Sequence, residues 1–285
     1  MNTLPQRQPS LTIFDVVRST NESVMAAGRS GKPEGTTHLA RCQTHGRGRS
    51  DHRWWSPRDG GLWMSVLLRP IAPRQRWGGL TLVAASAVYD VVRGRGVNDL
   101  QLYWPNDLQV GRRKLGGLLG EIGTEEDQAW VALGIGLNLQ LQAAVTDEKP
   151  PPELRESITS LQQSGAAGAL DAPSVALEVL EQLWPLYDAF QAGASVAELV
   201  GPRLAHVGGF ARVRIAGQPE RCGSIIGLGP LGELLVDVSK ADSSTVATGG
   251  DAGPLGKGEP RPSLSAPDVL CVVSGDVTYE DGRLG

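Results

Sequence analysis

The chain has 285 residues, of which 40% are hydrophobic and 20% charged, with a formal net charge of −4 and a pI near 5.6. Such a composition is typical of a globular protein of one large or two modest domains, and it excludes a general basic field that attracts nucleic acid or membranes. The three cysteines and four histidines lack the spacing of a zinc site or a disulfide framework. Without a signal-peptide pattern or a long apolar run, we expect a cytoplasmic protein with no membrane contact.

Hydrophobic patterning before Pro202 predicts a mixture of strands and helices. Apolar residues recur at helical spacing from Trp77 to Val92 and again at 175–190, where Pro185 predicts a kink or a boundary. The nearly continuous apolar run at 130–141 predicts a strand in the middle of a sheet. Further strands are predicted at 11–17, 37–44, 61–70 and 100–104.

After Pro202 the pattern changes to short alternating segments, which predict a small antiparallel β-barrel of roughly 70–80 residues. The stretch at 240–267 is rich in glycine, serine and proline and is typical of a disordered insertion. We therefore divide the chain into a first domain at 1–204 and a second domain at 205–285.

The sequence QTHGRGRSDHRWWSP at 43–57 alternates glycine and arginine between two predicted strands. Glycine lets backbone amides approach a ligand, and arginine binds phosphate or carboxylate with two hydrogen bonds at once. A basic surface loop without a ligand is the alternative, because glycine–arginine runs also occur in unstructured segments. The flanking strands and the two tryptophans favour a loop that covers a pocket for an anion.

The sequence YWPNDLQVGRRKLGG predicts a strand end followed by a β-hairpin with its turn at 111–112. Lys114 lies just after this turn and precedes two glycines that let backbone approach a ligand. A half-buried lysine is costly unless it meets an anion, so Lys114 is a candidate functional cation. A solvated lysine beside an ordinary turn explains the pattern equally well.

Polar residues at RSTNE follow the first predicted strand, where Ser19, Thr20 or Asn21 is suited to cap a short helix that ends near Gly28 or Gly31. Capping alone explains these residues, and hydrogen bonding to the polar head of a small ligand is the functional alternative. The glycines of GIGLN, inside the predicted central strand, indicate either tight sheet packing or close approach of a ligand.

Taken in order, STN, QTHGRGR with its tryptophan and SP, WPND, RKLGG with a later glutamate, and GIGLN resemble the motifs of biotin–protein ligases, also called biotin–[acetyl-CoA-carboxylase] ligases. The resemblance runs from about residue 11 to residue 140. The C-terminal segment, which ends in SGDVTY, is similar to the SH3-like barrel of that family. The resemblance implies an α+β fold, with a mixed central sheet and helices in a class II synthetase-like domain followed by the small barrel.

For function, the resemblance implies a two-step reaction with biotin and ATP as substrates and Mg²⁺ as cofactor. Biotin is first activated as biotinyl-5′-AMP and is then transferred to a lysine of a biotin carboxyl carrier protein. Both steps develop negative charge near a phosphate and a carboxylate, so fixed cations and backbone donors suit the chemistry better than a nucleophile.

Carried over residue by residue, the resemblance implies three overlapping sets. Lys114, Arg47 and Arg49 are the expected catalytic residues, and Asp107 is the expected magnesium ligand. Biotin is expected to contact Ser19, Thr20, Asn21, Gln43, Arg47, Gly48, Arg49, Lys114, Gly116 and Gly117, together with Leu118. ATP is expected to contact Arg49, Trp54, Trp104, Asn106, Asp107, Lys114 and Asn138.

The chain departs from the family pattern where Ser50, Asp51 and His52 replace a basic run, and where Tyr103 precedes WPND in place of a basic residue. We expect a weaker hold on the adenylate there, with Arg112 or Arg113 as compensating cations.

Only about ten residues precede the first predicted strand, so we expect a monofunctional ligase that does not bind DNA. A homodimer is compatible with the resemblance.

Two other functions remain open at this point. A lipoate– or octanoate–protein transferase of the same fold needs a longer apolar tunnel, and the STN, GRGR and RKLGG set favours biotin. A non-catalytic biotin-binding homologue is the alternative from another class, because basic residues are missing from the loop.

Overall fold

The computed structural model describes residue 7 and residues 10–50, 52–126, 128–142, 149–239 and 269–279. The insertion predicted at 240–267 lies outside these residues. Among the helices of the described part, none is long and apolar enough to span a membrane.

A seven-stranded sheet in the order β1-β2-β3-β7-β6-β5-β4 forms the centre of the molecule. The β1–β2 pair is parallel and every other neighbouring pair is antiparallel, so the sheet is mixed. β7 is the fourth strand of the sheet, which confirms the central position predicted from its apolar run. The strands are β1 (Ser10–Val17), β2 (Thr36–Gln43), β3 (Gly61–Leu68), β4 (Leu100–Tyr103), β5 (Asp107–Val110), β6 (Arg113–Glu125) and β7 (Gln128–Asn138).

Helices cover both faces of this sheet. Alternate residues of β3 face opposite sides of the sheet. Leu62, Met64 and Val66 pack in the main core with α2 and α3, whereas Leu67 packs against Val24 of α1. Proline 185 lies inside α3, so the helix continues through it without a boundary. The helices are α1 (Thr20–Arg29), α2 (Leu80–Gly94), α3 (Ala172–Gln191) and α4 (Val196–Val200), with 3-10 turns at Arg74–Gly79, Pro152–Leu154 and Gly201–Arg203.

The C-terminal part forms a five-stranded antiparallel sheet in the order β11-β10-β9-β8-β12. Three residues separate β11 from β12, yet these strands lie at opposite edges, so the sheet curls in the manner of the predicted small barrel. Its strands are β8 (Phe210–Arg214), β9 (Arg221–Leu228), β10 (Leu234–Asp237), β11 (Val269–Val272) and β12 (Asp276–Tyr279).

The second sheet packs against the end of β4. The Tyr103 hydroxyl lies 2.6 Å from Nε2 of His206, and the Tyr103 ring meets Tyr279 edge to face at 4.9 Å. The Trp104 indole donates to the carbonyl oxygen of Gly232 at 2.9 Å. These contacts join the two sheets through buried aromatic residues, and the domain boundary at 204/205 stays a prediction.

A small second core lies between α1 and the central sheet. Trp130 of β7 is 1% exposed and packs with Val24 and Leu67. The indole is held between two glycines, because a Cβ built on Gly28 would lie 2.2 Å from its Nε1 and one on Gly123 would lie 2.3 Å from its Cε2. Helix α1 therefore depends on glycine at position 28 for its approach to the sheet.

Replacing Gly28 with alanine tests this close approach. We expect Gly28→Ala to lower the free energy of unfolding by about 1–3 kcal/mol, because the indole has no room to move away. Gly94→Ala is the matched control at the end of α2, where an added Cβ meets no atom within 4 Å. The control should be neutral or stabilising by up to about 1 kcal/mol, the helix propensity difference. Urea unfolding measures both, and equal stabilities would contradict the close-packing argument.

Candidate active site

A cavity of about 750 Å³ lies on the α1 side of the sheet. It opens above β6 and β7, where glycine occupies opposed positions: Gly117 pairs directly with Gly136 across the two strands. An indole fills the space that side chains would otherwise take, because a Cβ on Gly136 would lie 2.7 Å from Cε2 of Trp54 and one on Gly117 would lie 3.1 Å from its Cζ3. Gly136 of GIGLN and Gly117 of RKLGG thus make room for the Trp54 indole, which lines the cavity.

The N-terminus of α1 forms one end of the cavity. Ser19 is the N-cap residue, but its side chain makes no capping hydrogen bond, so capping does not explain the polar STN sequence. Thr20 donates from its backbone N and from Oγ1 to Oε1 of Gln43, at 2.8 and 3.1 Å. The Asn21 Nδ2 donates to Oε2 of Glu121 at 2.8 Å. These buried polar groups create a site that can hydrogen-bond the polar head of a ligand.

The glycine–arginine segment forms a short hairpin over the cavity, and we call its described residues, 46–50 and 52–56, the arginine loop. Gly48 N donates to the carbonyl oxygen of His52 at 2.7 Å, and Arg47 pairs with Arg53 in an antiparallel bridge. Gln43 holds the end of the loop through Oγ of Ser56 at 2.8 Å. The loop is therefore anchored to the same glutamine that accepts from Thr20.

Lys114 and Asp107 form an ion pair at the opposite end of the cavity. The lysine Nζ lies 2.6 Å from Oδ2 of Asp107 and 5.5 Å from the centre of the Trp54 ring. The lysine side chain is 35% exposed and the aspartate side chain 12% exposed, so the cation faces the cavity and its counter-ion lies deeper. The backbone is fixed too, since Lys114 N donates to the carbonyl oxygen of Ser157 at 2.7 Å.

Asp107 is the one predicted metal ligand. Its Oδ1 is buried and has no hydrogen-bond partner among the described residues. Those residues also contain no group of three or more histidine, cysteine, aspartate or glutamate side chains suited to a metal. Magnesium commonly binds one or two carboxylates together with substrate phosphates and water, so this single oxygen fits an ion that arrives with a nucleotide.

Most of the predicted site residues lie together at the cavity. Its lining contains Thr20, Asn21, Gln43, Arg47, Gly48, Arg49, Trp54, Asn106, Asp107, Lys114, Gly117, Leu118 and Asn138. Asn106 and Asn138 also have structural contacts, because Nδ2 of Asn106 donates to the Leu118 carbonyl oxygen at 2.6 Å and Nδ2 of Asn138 to that of Thr159 at 2.9 Å. Whether each residue contacts biotin or ATP stays a prediction.

Three predicted site residues do not line the cavity. Ser19 is buried behind it, and Gly116 faces the neighbouring backbone, where a Cβ would lie 2.9 Å from the carbonyl oxygen of Gly136. Trp104 is 1% exposed and belongs to the main core. Tyr103, which stands before WPND in place of a basic residue, is fully buried in that core, whereas Arg112 lines the cavity.

Several residues at the site had no assigned role in the sequence. Ser65 and Glu121 lie on the central strands, and Arg214, Asp276 and Thr278 of the second sheet line the cavity. Glu121 is the glutamate that follows RKLGG, so the motif itself was a signal that could have identified it. The three residues of the second sheet carry no local signal, because only the packing of the two sheets brings them to the cavity.

Comparison with known proteins agrees with this architecture. Residues 13–138 match the biotin/lipoate A/B protein ligase family. The biotin–[acetyl-CoA-carboxylase] ligase of Mycobacterium tuberculosis is 30% identical over 239 residues, which cover 82% of this chain and 84% of that protein. The bifunctional ligase/repressor BirA of Bacillus spizizenii is 38% identical over 151 residues, 53% of this chain and 45% of BirA.

The chain thus spans about half the length of the BirA proteins that it matches from two Bacillus species. A solved structure of the biotin protein ligase from Aquifex aeolicus, in complex with biotin and ATP, has a TM-score of 0.70 at 23% identity and covers 95% of this chain and 98% of that one. At this identity the likeness establishes the fold alone. From the matched family segment and the relative from M. tuberculosis, it follows that the chain belongs to the biotin/lipoate A/B protein ligase family.

Proposed function

We propose that the chain is an ATP-dependent biotin–protein ligase, which activates biotin as biotinyl-5′-AMP and transfers it to a lysine of a biotin carboxyl carrier protein. The relative from M. tuberculosis, named for this activity, supports the proposal along most of both chains. The carrier domain of acetyl-CoA carboxylase is the acceptor that this name suggests. We further propose a cytoplasmic location, and a homodimer is compatible with the fold.

One observation carries the proposal: a single cavity joins hydrogen-bonding groups at one end to fixed cations at the other. Thr20, Asn21 and Gln43 suit the ureido head of biotin, which both donates and accepts hydrogen bonds. Lys114 suits its carboxylate and the α-phosphate of ATP, and the Trp54 ring suits the apolar ring system between them. The volume of about 750 Å³ lies within the usual range for a small-molecule site, about 300–1,000 Å³.

In the first step, a carboxylate oxygen of biotin attacks the α-phosphorus of ATP, a new O–P bond forms, and the bond to the β-phosphate breaks to release pyrophosphate. Two anions must approach each other, so nearby cations lower the barrier. Lys114 provides such a charge at a fixed place, since its backbone N and carbonyl oxygen are hydrogen-bonded to the segment at 157–159. Asp107 balances the lysine in the ligand-free protein and so reduces the cost of keeping it half buried.

Asp107 would hold a magnesium ion through its unpartnered Oδ1, and such an ion supplies further positive charge to the phosphates.

In the second step, the amine of the carrier lysine attacks the acyl carbon of the mixed anhydride. A C–N bond forms, the bond to the phosphate oxygen breaks, and AMP leaves. The arginine loop and its tryptophans exclude water from the anhydride until the carrier arrives.

We propose that the domains at 1–204 and 205–285 both contribute to this site. Arg214, Asp276 and Thr278 line the cavity from the second sheet. Arg214 also forms an ion pair with Glu220, whose side chain is 32% exposed. This carboxylate offsets the positive charge that Arg214 brings to the cavity.

Adenylate formation is the direct test of the proposed function. We expect purified protein with biotin, ATP and Mg²⁺ to form biotinyl-AMP and pyrophosphate, and to add one biotinyl group to a carrier domain, both detected by mass spectrometry. Lipoyl-AMP formed from lipoate in place of biotin would instead support the transferase, which belongs to the same family. Biotin binding by calorimetry without any adenylate would indicate a non-catalytic homologue.

Lys114→Ala should reduce the rate of adenylate formation by about 100-fold or more, because the variant loses the fixed charge at the reacting groups. Single-turnover measurement with saturating biotin and ATP gives this rate. Arg113→Ala is the matched control, since Arg113 is the adjacent cation, pairs loosely with Glu156 at 3.8 Å and does not line the cavity. A near-normal rate for Lys114→Ala, or an equal loss in both variants, would refute the role assigned to this lysine.

A further inference from the structure

Glu121 is a carboxylate of β6 that contacts both the arginine loop and the floor of the cavity. Its Oε2 lies 2.9 Å from Nη2 of Arg47 and accepts a hydrogen bond from Nδ2 of Asn21 at 2.8 Å. The side chain of Glu121 is 25% exposed and that of Arg47 is 46% exposed. One oxygen atom of this carboxylate therefore joins the loop to the residue that we propose for binding the head group.

The contacts continue from Asn21 across the floor of the cavity. The Ser65 hydroxyl lies 2.6 Å from Oδ1 of Asn21 and 2.7 Å from Oγ1 of Thr20. Thr20 donates to Gln43, and Gln43 donates to Ser56 at the far end of the arginine loop. The two ends of the loop are thus connected through a single row of side chains, and Glu121 closes that row at Arg47.

We propose that Glu121 is a positioning residue, which holds Arg47 over the cavity by joining it to the fixed amide of Asn21. The proposal rests on the function proposed above. The Asn21 amide is oriented by Ser65 at its Oδ1 and by the Leu119 carbonyl oxygen at its Nδ2, and it in turn fixes the carboxylate that pairs with Arg47. Glu121 does not line the cavity of about 750 Å³, so its effect reaches the reaction through the place and mobility of Arg47.

Glu121→Gln separates the two contacts of this carboxylate. The glutamine carbonyl still accepts from Asn21, but the side chain no longer carries the charge that pairs with Arg47. We expect biotinyl-AMP to leave the variant about fivefold faster than the wild type, the upper range for a partly exposed ion pair. Rising salt should speed release from the wild type more than from the variant, because the variant lacks one of the ion pairs that salt screens.

The matched control is Asp90→Asn, which removes the charge from another partly exposed ion pair. Asp90 lies 2.7 Å from Arg203 and neither residue lines the cavity. We expect release from this variant to match the wild type. Glu121→Gln in an Arg47→Gln background should have no further effect on release, since the partner of the carboxylate is already gone.

Limited trypsin cleavage tests the contact without any ligand. We expect the bonds after Arg49 and Arg53 to be cut about fivefold faster in both Glu121→Gln and Arg47→Gln than in the wild type or Asp90→Asn, because the loop opens more often. Since Arg47→Gln leaves Glu121 and Asn21 in place, it gives the same test if Glu121→Gln does not fold. Unchanged cleavage in the variants overturns the contact with the loop.

The proposed function and the role of Glu121 fail in different ways. If the proposed function is wrong, the wild type forms no biotinyl-AMP, while the trypsin comparison still reports on the contact between Glu121 and Arg47. Where the wild type is active, three results overturn the proposal: unchanged release from Glu121→Gln, equal salt dependence in both proteins, or additive effects with Arg47→Gln.

Discussion

The opposed glycines of β6 and β7 are the constraint on which the site depends. A central sheet normally carries side chains on both faces, and those side chains would fill the space above it. Gly117 and Gly136 pair across the two strands and leave room on the α1 side for the Trp54 indole, which lines the cavity. Leu118 and Ile135 alternate with these glycines along the strands and join the main core, while they also border the cavity. One pair of strands thus combines a rigid core with a cavity that exposes backbone.

This arrangement places charged groups close to a rigid support. Lys114 and Asp107 lie where β5 and β6 pair beside the glycines, so their separation is set by the sheet and not by a flexible loop. Thr20 and Asn21 are fixed by the first turn of α1, which packs against the sheet through Trp130. Groups held in this way lose little further freedom when a ligand binds, which favours both affinity and stabilisation of charge in a transition state.

The sequence predicted the fold in some detail because its strands and helices differ clearly in apolar spacing. Strands β1 to β7 and helices α1 to α3 all appear near their predicted positions, and the fold class is confirmed. Pro185 was harder to interpret, since a proline in a long buried helix can be tolerated where tertiary packing holds both sides.

The candidate site was predicted less completely, for physical reasons that differ between residues. The direction of Trp104 could not be predicted, because a residue at a strand end can turn either to a cavity or to the core. Ser65 and Glu121 were missed because polar residues in strands commonly face solvent. Arg214 reaches the cavity only through packing between the two sheets, and no pattern within one segment records such a contact.

The structure also changes the interpretation of the residues that depart from the family pattern. Tyr103 is buried between His206 and Tyr279, so the residue before WPND belongs to the contact between the sheets and removes no charge from the cavity.

In the arginine loop, Ser50 has a φ of 49° in the turn of a hairpin closed by the Gly48–His52 hydrogen bond. This short hairpin carries fewer cations than a longer basic run, but its described residues are tied together by the Arg47–Arg53 bridge and the Gln43–Ser56 hydrogen bond. Residues held in this way lose less conformational entropy when a ligand binds, and this gain offsets part of the lost attraction. The charge that remains at Arg47 must then be well placed, which is the physical reason for a carboxylate at position 121.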